Sequence, residues 1–208
     1  SFLWANLFTS TVLLGDLGWS LLGTAGAFVL GSAAAVAVGL LFAYLPRLEA
    51  FLEPYLTAFN VMPRIALAPL LIMWFGFGIG SKIALGFSLT FFIVLASTVA
   101  GMRGVSADHL TLSRTLGLSR FKMFALVTLP SAVPVVFAGL RLGLIYALLG
   151  VIGAEIIASE HGLGQRLAQL ASMFDVNGVM AILLILSVIG VLITLGMNVL
   201  EQRLLRWQ

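Results

Sequence analysis

Cysteine is absent from all 208 residues. That excludes disulfides, thiol nucleophiles and cysteine-bound metals from this stretch of chain. Charge is nearly as scarce: Asp, Glu, Lys and Arg make up 9% of the residues, against about 25% in a soluble domain. The two histidines, His109 and His161, lie far apart, and each reads as a polar loop residue. A phosphate-cradling G-x-x-x-x-G-K-S/T loop is missing, since neither Lys82 nor Lys122 follows a glycine. The residues here therefore hold no ATPase of that type. No HExxH pair and no serine-hydrolase elbow occur either. Glu155 and Glu160 lie five apart and read as an outer rim of charge rather than as an acid–base pair.

Apolar residues fill the space. They form 61% of the chain, and the mean hydropathy is +1.15. Such a composition belongs in a bilayer, and the expected fold is an all-α polytopic membrane protein in one domain, 1–208. Residues 1–16 are mixed. The first uncharged run is 17–46, bounded by Asp16 and Arg47, and exceeds the roughly 20 residues a spanning helix needs. Within it Gly23, Ala27, Gly31, Ala35 and Gly39 recur every fourth residue, a stripe on which another helix can pack closely. That helix can come from the same chain or from a second subunit. Residues 47–64 read as an interfacial segment. The run 65–81 is barely long enough to cross, and Pro69 with Gly76, Gly78 and Gly80 interrupts it, as in spans that line a cavity. Further spans are expected at 83–102, from Pro130 to about Glu155, and at 176–200, five in all, with a polar connection over 156–175.

The longest charged interval, RGVSADHLTLSRTLGLSRFKMFALVTLP at 103–130, separates two of these spans. Ser106 can cap a short helix running to Leu116, Gly117 sits where a left-handed residue ends one, and Ser119 can cap a second. Leu110, Leu112 and Leu116 give this knob an apolar side. It suits a groove on a partner protein, or rests on lipid headgroups. Placing the knob in the cytoplasm puts Arg47, Arg64, Arg103, Arg114, Arg120, Lys122, Arg203 and Arg206 inside, and Lys82 and Arg166 outside. The C-terminus is then cytoplasmic. Arg141 falls about 16 Å of helix beyond Pro130, near mid-bilayer. Its cost there calls for freed carbonyls near Pro69, a carboxylate other than Glu155, or an anion in a path. Thr194 and Asn198 share a face of the last span, and can line such a path or hydrogen-bond a neighbouring helix.

The spacing Gly117, nine residues, then Val127-Thr128-Leu129-Pro130 resembles the cytoplasmic loop of binding-protein-dependent ABC importer permeases. That pattern reads Glu-Ala-Ala, three residues, Gly, nine residues, Ile, one residue, Leu-Pro. Here Thr111 stands at the glutamate and the alanines are not reproduced. The run 62–82, Gly139-Leu140-Arg141, Ala154-Glu155, Gly162-Leu163-Gly164 and the ending LEQRLLRW are similar to the nitrate/sulfonate/taurine-type branch. The resemblance covers roughly 17–207. It implies a type I importer permease fold, with six helices in the full chain and the first absent here. It implies that the loop couples to a separate ATPase pair through Ala107, Asp108, Thr111, Ser113, Arg114, Gly117, Leu129 and Pro130. It further implies a second permease chain, most simply a homodimer, and a soluble or lipid-anchored substrate-binding protein. ATP and Mg would bind the ATPase, no cofactor or metal this chain, and no nucleic acid would be involved. The expected location is the cell inner membrane, the cargo a small anion, sulfonate or vitamin precursor, and the path residues Arg141, Thr194 and Pro69. An ion-coupled secondary transporter is the first rival, yet no internal repeat appears. A membrane scaffold or intramembrane enzyme is the second; the scaffold needs no broken span, and the enzyme needs a nucleophile or metal set.

Overall fold

The structure is a computed structural model and describes residues 11–204. All regular structure among them is helical. Helix α1 (Thr11–Tyr44) has 34 residues, about 51 Å at 1.5 Å per residue. It begins before residue 17 because Asp16 does not bound it. That carboxylate is buried and accepts the Gly162 N–H at 3.0 Å. Helix α2 (Pro46–Val61) opens with proline at its first position, where the missing N–H costs nothing. A 3-10 turn (Arg64–Leu67) leads to α3 (Ala68–Phe75), and then comes α4 (Ile79–Arg103). The knob carries α5 (Ala107–Thr115) and α6 (Arg120–Met123). A π-helical stretch, Phe124–Thr128, joins α6 to α7 (Leu129–Ile157); α8 (Leu163–Ser172) and α9 (Val176–Leu204) complete the fold.

Two spans differ from the sequence reading. The run 65–81 is not a crossing segment by itself. Helix α3 has 8 residues, about 12 Å, and ends at Gly76. Pro69 does not interrupt it, because it lies in the first turn, where helices tolerate proline. The break falls instead at Met62-Pro63, where α2 and the 3-10/α3 piece meet at 82°. Among the described residues four helices are long and apolar enough to cross a membrane, and a fifth span is present if the bent pair is one crossing. The other difference concerns 120–130. Leu129-Pro130 does not separate a short helix from a span. Residues Arg120–Ile157 form one 38-residue rod. The wide π turn before Pro130 relaxes the backbone where a proline ring would crowd an α-helix.

Helix α4 is the centre of the bundle, with α1 along one side and α7 along the other. Small residues decide how close they come. A methyl added to Gly31 would lie 2.9 Å from Thr90 Cβ, and one on Gly39 2.6 Å from Thr98 Cγ2. The small-residue stripe of α1 therefore packs on α4 of the same chain. On the other side, a methyl at Gly150 would lie 2.7 Å from Gly86 Cα, so the two backbones touch. Close approach of this kind replaces the hydrophobic effect where the solvent is itself apolar. The Thr90 hydroxyl adds a bond across the seam, to the Gly143 carbonyl at 3.1 Å. Outward residues such as Val29, Leu30, Leu149, Val188 and Leu192 are apolar and exposed, as a lipid-facing surface requires.

Candidate functional site

The knob is built by its caps. The Ser106 side chain accepts the Asp108 N–H at 3.3 Å, and Ser119 accepts the Lys122 N–H at 3.4 Å. At the end of α5 the Gly117 N–H bonds the Arg114 carbonyl at 3.0 Å, and the Leu118 N–H bonds the Ser113 carbonyl at 3.1 Å. That pair of bonds is a Schellman closure, and it holds Gly117 at φ +75. Ser113 is buried, its hydroxyl on the His109 carbonyl at 2.6 Å, while the Thr111 hydroxyl turns back to the Ala107 carbonyl. Ala107, Asp108, Thr111, Arg114, Leu112 and Leu116 are exposed. Leu129 and Pro130 are not on the knob; they lie inside the rod that grows from it. Under the knob lies a cavity of about 690 Å³, reached by Tyr44, Arg103, Arg114, Arg120 and Phe124. The knob thus meets the bundle over a hollow rather than a packed core, with α6 and α7 as its stiff connection.

The far ends of the same helices hold a buried polar network that sequence reasoning missed. Lys82 and Glu155 are 2% and 1% exposed, and their charged groups are 3.4 Å apart. The Ser20 hydroxyl reaches both Glu155 oxygens at 2.9 and 2.8 Å, and the Gly164 N–H donates to Glu155 at 2.9 Å. The Leu163 N–H donates to Ser20 Oγ at 2.9 Å. Lys82 also donates to the His161 carbonyl, and the His161 ring stacks on Trp19 at 5.8 Å. Glu155 is therefore no rim charge, and Lys82 is not free outside the membrane. Four elements, α1, α4, α7 and the start of α8, are tied through two side chains. The loop lies so close that a side chain at Gly162, φ +126, would run into the Glu155 carboxylate, and one at Gly164 would lie 2.5 Å from the Ile152 carbonyl. The sequence did carry a signal: an acid, a lysine and a second acid, Asp16, Lys82 and Glu155, each near the end of an apolar run.

The path residues named from sequence are not brought together as a set. Arg141 pairs with Glu201, from the C-terminal end of α9. Of the three explanations for its charge, the structure supplies a carboxylate partner, far away in sequence. Its Nε is buried and unpartnered among the described residues. The Thr194 hydroxyl bonds the Gly190 carbonyl of its own helix at 2.8 Å, so it spans to no neighbour. Pro69 is exposed at the start of α3. A different polar line appears on α2. Glu49, Glu53, Thr57 and Asn60 follow at steps of 4, 4 and 3, the spacing of one helix face, and Arg64, past the bend, bonds back to Asn60. Pro46–Val61 therefore form an amphipathic helix whose polar face meets α4 across a cavity, and Arg64, beyond the bend, lies beside Phe92 near the middle of α4. Glu49 meets Arg103 at 2.6 Å, and the Arg64 guanidinium lies 4.2 Å over the Phe92 ring. Among the described residues no group of three or more His, Asp or Glu could hold a metal ion. Arg206 lies outside the described residues.

Residues 27–206 match the family described as the binding-protein-dependent transport system inner membrane component. The chain belongs to that family. Members with printed cargoes include the taurine transport system permease protein TauC of Escherichia coli K12, 32% identical over 82% of this chain and 62% of its own length. The formylaminopyrimidine transport permease protein ThiX of Halalkalibacterium halodurans is 33% identical over 82% of this chain and 68% of its own length. The riboflavin transport system permease protein RibX of Chloroflexus aurantiacus is 32% identical over 80% of this chain and 62% of its own. The chain thus spans 62% to 68% of the length of these relatives. Inward-facing structures of the MetNI methionine ABC transporter share the fold: one aligns with a TM-score of 0.78 at 17% identity, covering 92% of this chain and 94% of its own. The architecture is that of an ABC importer permease, a multi-pass membrane protein of a transport family.

Proposed function

We propose that this chain is the permease subunit of an ATP-driven importer, in which two copies enclose the path of a small anionic solute. The knob carries the reading. It is exposed, capped at both ends, hinged at one glycine and stiffly joined to a single long helix. An ATPase pair, binding ATP and Mg, grips the knob, and tilting it moves the rod of α6 and α7. That rod is about 57 Å long by its 38 residues, and its far end carries Glu155, so a push at one membrane face reaches the network at the other. The four or five spans among the described residues of one copy enclose too little space for a hydrated solute, and closed symmetry supplies the rest through a second copy. The knob and residues 201–208 face the cytoplasm on the side rich in arginine, in the inner membrane. A soluble or lipid-anchored binding protein delivers cargo to the opposite face. Aliphatic sulfonates, the cargo printed for a putative permease of Bacillus subtilis 35% identical to this chain, and the sulfonate group of taurine support a cargo with an anionic head.

Gly117→Val tests the proposal. A methyl at Gly117 meets nothing within 4 Å, so any effect comes from forcing a β-branched residue to φ +75. The variant should insert normally yet lose co-purification of the ATPase, or lose solute-stimulated ATP hydrolysis at least about tenfold. Native coupling in an inserted Gly117→Val chain overturns the assignment of the knob.

A further inference from the structure

Arg64 stands in a place that the importer reading alone does not explain. Helix α4 carries Lys82 near one end and Arg103 at the other, and Phe92 lies ten residues from the first and eleven from the second. At 1.5 Å per residue that is roughly 15 and 16 Å, so Phe92 is halfway along the span. The guanidinium of Arg64 lies over this ring at 4.2 Å. It is bonded to the Asn60 side chain and, at 3.3 Å, to the Asn60 carbonyl. Among the described residues no carboxylate pairs with it. Arg141, by contrast, is neutralised by Glu201 in the last turn of α9. Next to Asn60 and Phe92, the two residues that touch Arg64, opens a cavity of about 320 Å³, with Glu53, Thr57 and Asn60 on one wall and Phe92, Ala96 and Ala100 on the other; among the described residues Glu53 makes no ion pair. The mouth of that cavity is not free positive charge, because Arg103 there is held by Glu49 at 2.6 Å.

A permanent cation halfway across a membrane needs either a counter-charge or water. Among the described residues its own chain supplies the Asn60 amide and carbonyl and an aromatic face. We infer that Arg64, with Asn60 and Thr57, forms a transient binding site for the anionic group of the passing solute, a sulfonate-like or carboxylate-like head. The parallel N–H groups of a guanidinium match two oxygens of a planar carboxylate or of a tetrahedral sulfonate, and the Asn60 amide and Thr57 hydroxyl on α2 offer the next contacts. The Phe92 ring holds the guanidinium on its other face, which leaves the edge for the anion. The inference rests on the importer reading for the identity of the ligand as cargo.

The chain has no cysteine, so Ala96→Cys creates a single thiol, at an exposed position one turn from Phe92 on the facing wall. In membrane vesicles holding the chain with its partner subunits, the probes are the anionic 2-sulfonatoethyl and the cationic 2-trimethylammonioethyl methanethiosulfonates. Rates are normalised to a small free thiol. With Glu53→Gln removing the carboxylate that lines the same cavity, the anionic reagent should react about tenfold faster than the cationic one, since Arg64 attracts one and repels the other. Ethanesulfonate should slow it. Arg64→Gln should erase the preference, and Arg64→Lys should keep it. If Arg64→Gln does not insert, Asn60→Asp serves instead, since a carboxylate beside the guanidinium should also cancel the preference. No reaction with either reagent, equal rates with Arg64 present, or a preference that survives its neutralisation overturns the site. A retained anion preference in a chain that never associates with an ATPase would instead sink the importer reading and leave the site standing.

Discussion

Removing Lys82 should loosen the end of the bundle opposite the knob. Lys82 Nζ and Glu155 Oε1 are 3.4 Å apart. With an effective dielectric of about 20, two unit charges at that distance attract by about 5 kcal/mol. Not all of it is lost when Lys82→Met removes the cation. Glu155 keeps the Ser20 hydroxyl and the Gly164 N–H, and bonds to a charged group are worth about 1.5–3 kcal/mol each. What remains is an uncompensated buried carboxylate, for which a loss of about 3–5 kcal/mol is expected. Glu155→Gln leaves Lys82 with the His161 carbonyl and the Trp19 ring at 5.9 Å, so a smaller loss of about 2–3 kcal/mol is expected. The double variant should recover part of this, because a neutral pair needs no compensation. The assay is unfolding by sodium dodecyl sulfate in mixed micelles, followed by circular dichroism, for the four members of the cycle. A coupling energy of at least about 2 kcal/mol is expected for side chains in contact. If the two single losses simply add, within about 0.5 kcal/mol, the two side chains do not act together and the network is not held by its charges.

Gly162→Ala should cost about 1–3 kcal/mol from φ +126 alone, and more from the collision with Glu155; limited proteolysis should then cut between residues 157 and 163, and native resistance would argue against the tight loop. Arg141→Gln leaves Glu201 without its counter-ion and should lower the unfolding midpoint, whereas Arg141→Lys keeps a charge and should lower it less. Identical midpoints for both and for the native chain would show the pair to be idle, which its partial exposure allows.

The knob was legible because its signals are local. A serine cap, a glycine three residues past the last arginine of a helix and a second serine act within one or two turns, and the structure places Ser106, Gly117 and Ser119 at those turns. The membrane class was legible too, because the hydrophobic count is a property of composition. The small-residue stripe of α1 was readable as a packing face, but not the identity of its neighbour; only the position of Thr90 and Thr98 on α4 settles that. Two span starts were misjudged where a charge was taken as a boundary, whereas Arg103 does end its helix. Asp16 and Lys82 lie inside helices because donors and acceptors from residues far along the chain satisfy them, Gly162 for one and Glu155 for the other.

Composition and local spacing alone determined that this chain lives in a bilayer, that a capped knob interrupts its spans, and where that knob bends. They could do so because partition into lipid and helix capping depend on residues within a few turns of each other. The tertiary structure decided which charges are free. Arg141, the cation that sequence singled out, is matched by Glu201 sixty residues away, and Arg64, which sequence placed at the surface, lies beside the middle of α4 with no carboxylate paired to it among the described residues. Charge compensation is settled by whichever side chain the fold brings within a few ångström, and no spacing along the chain records that distance.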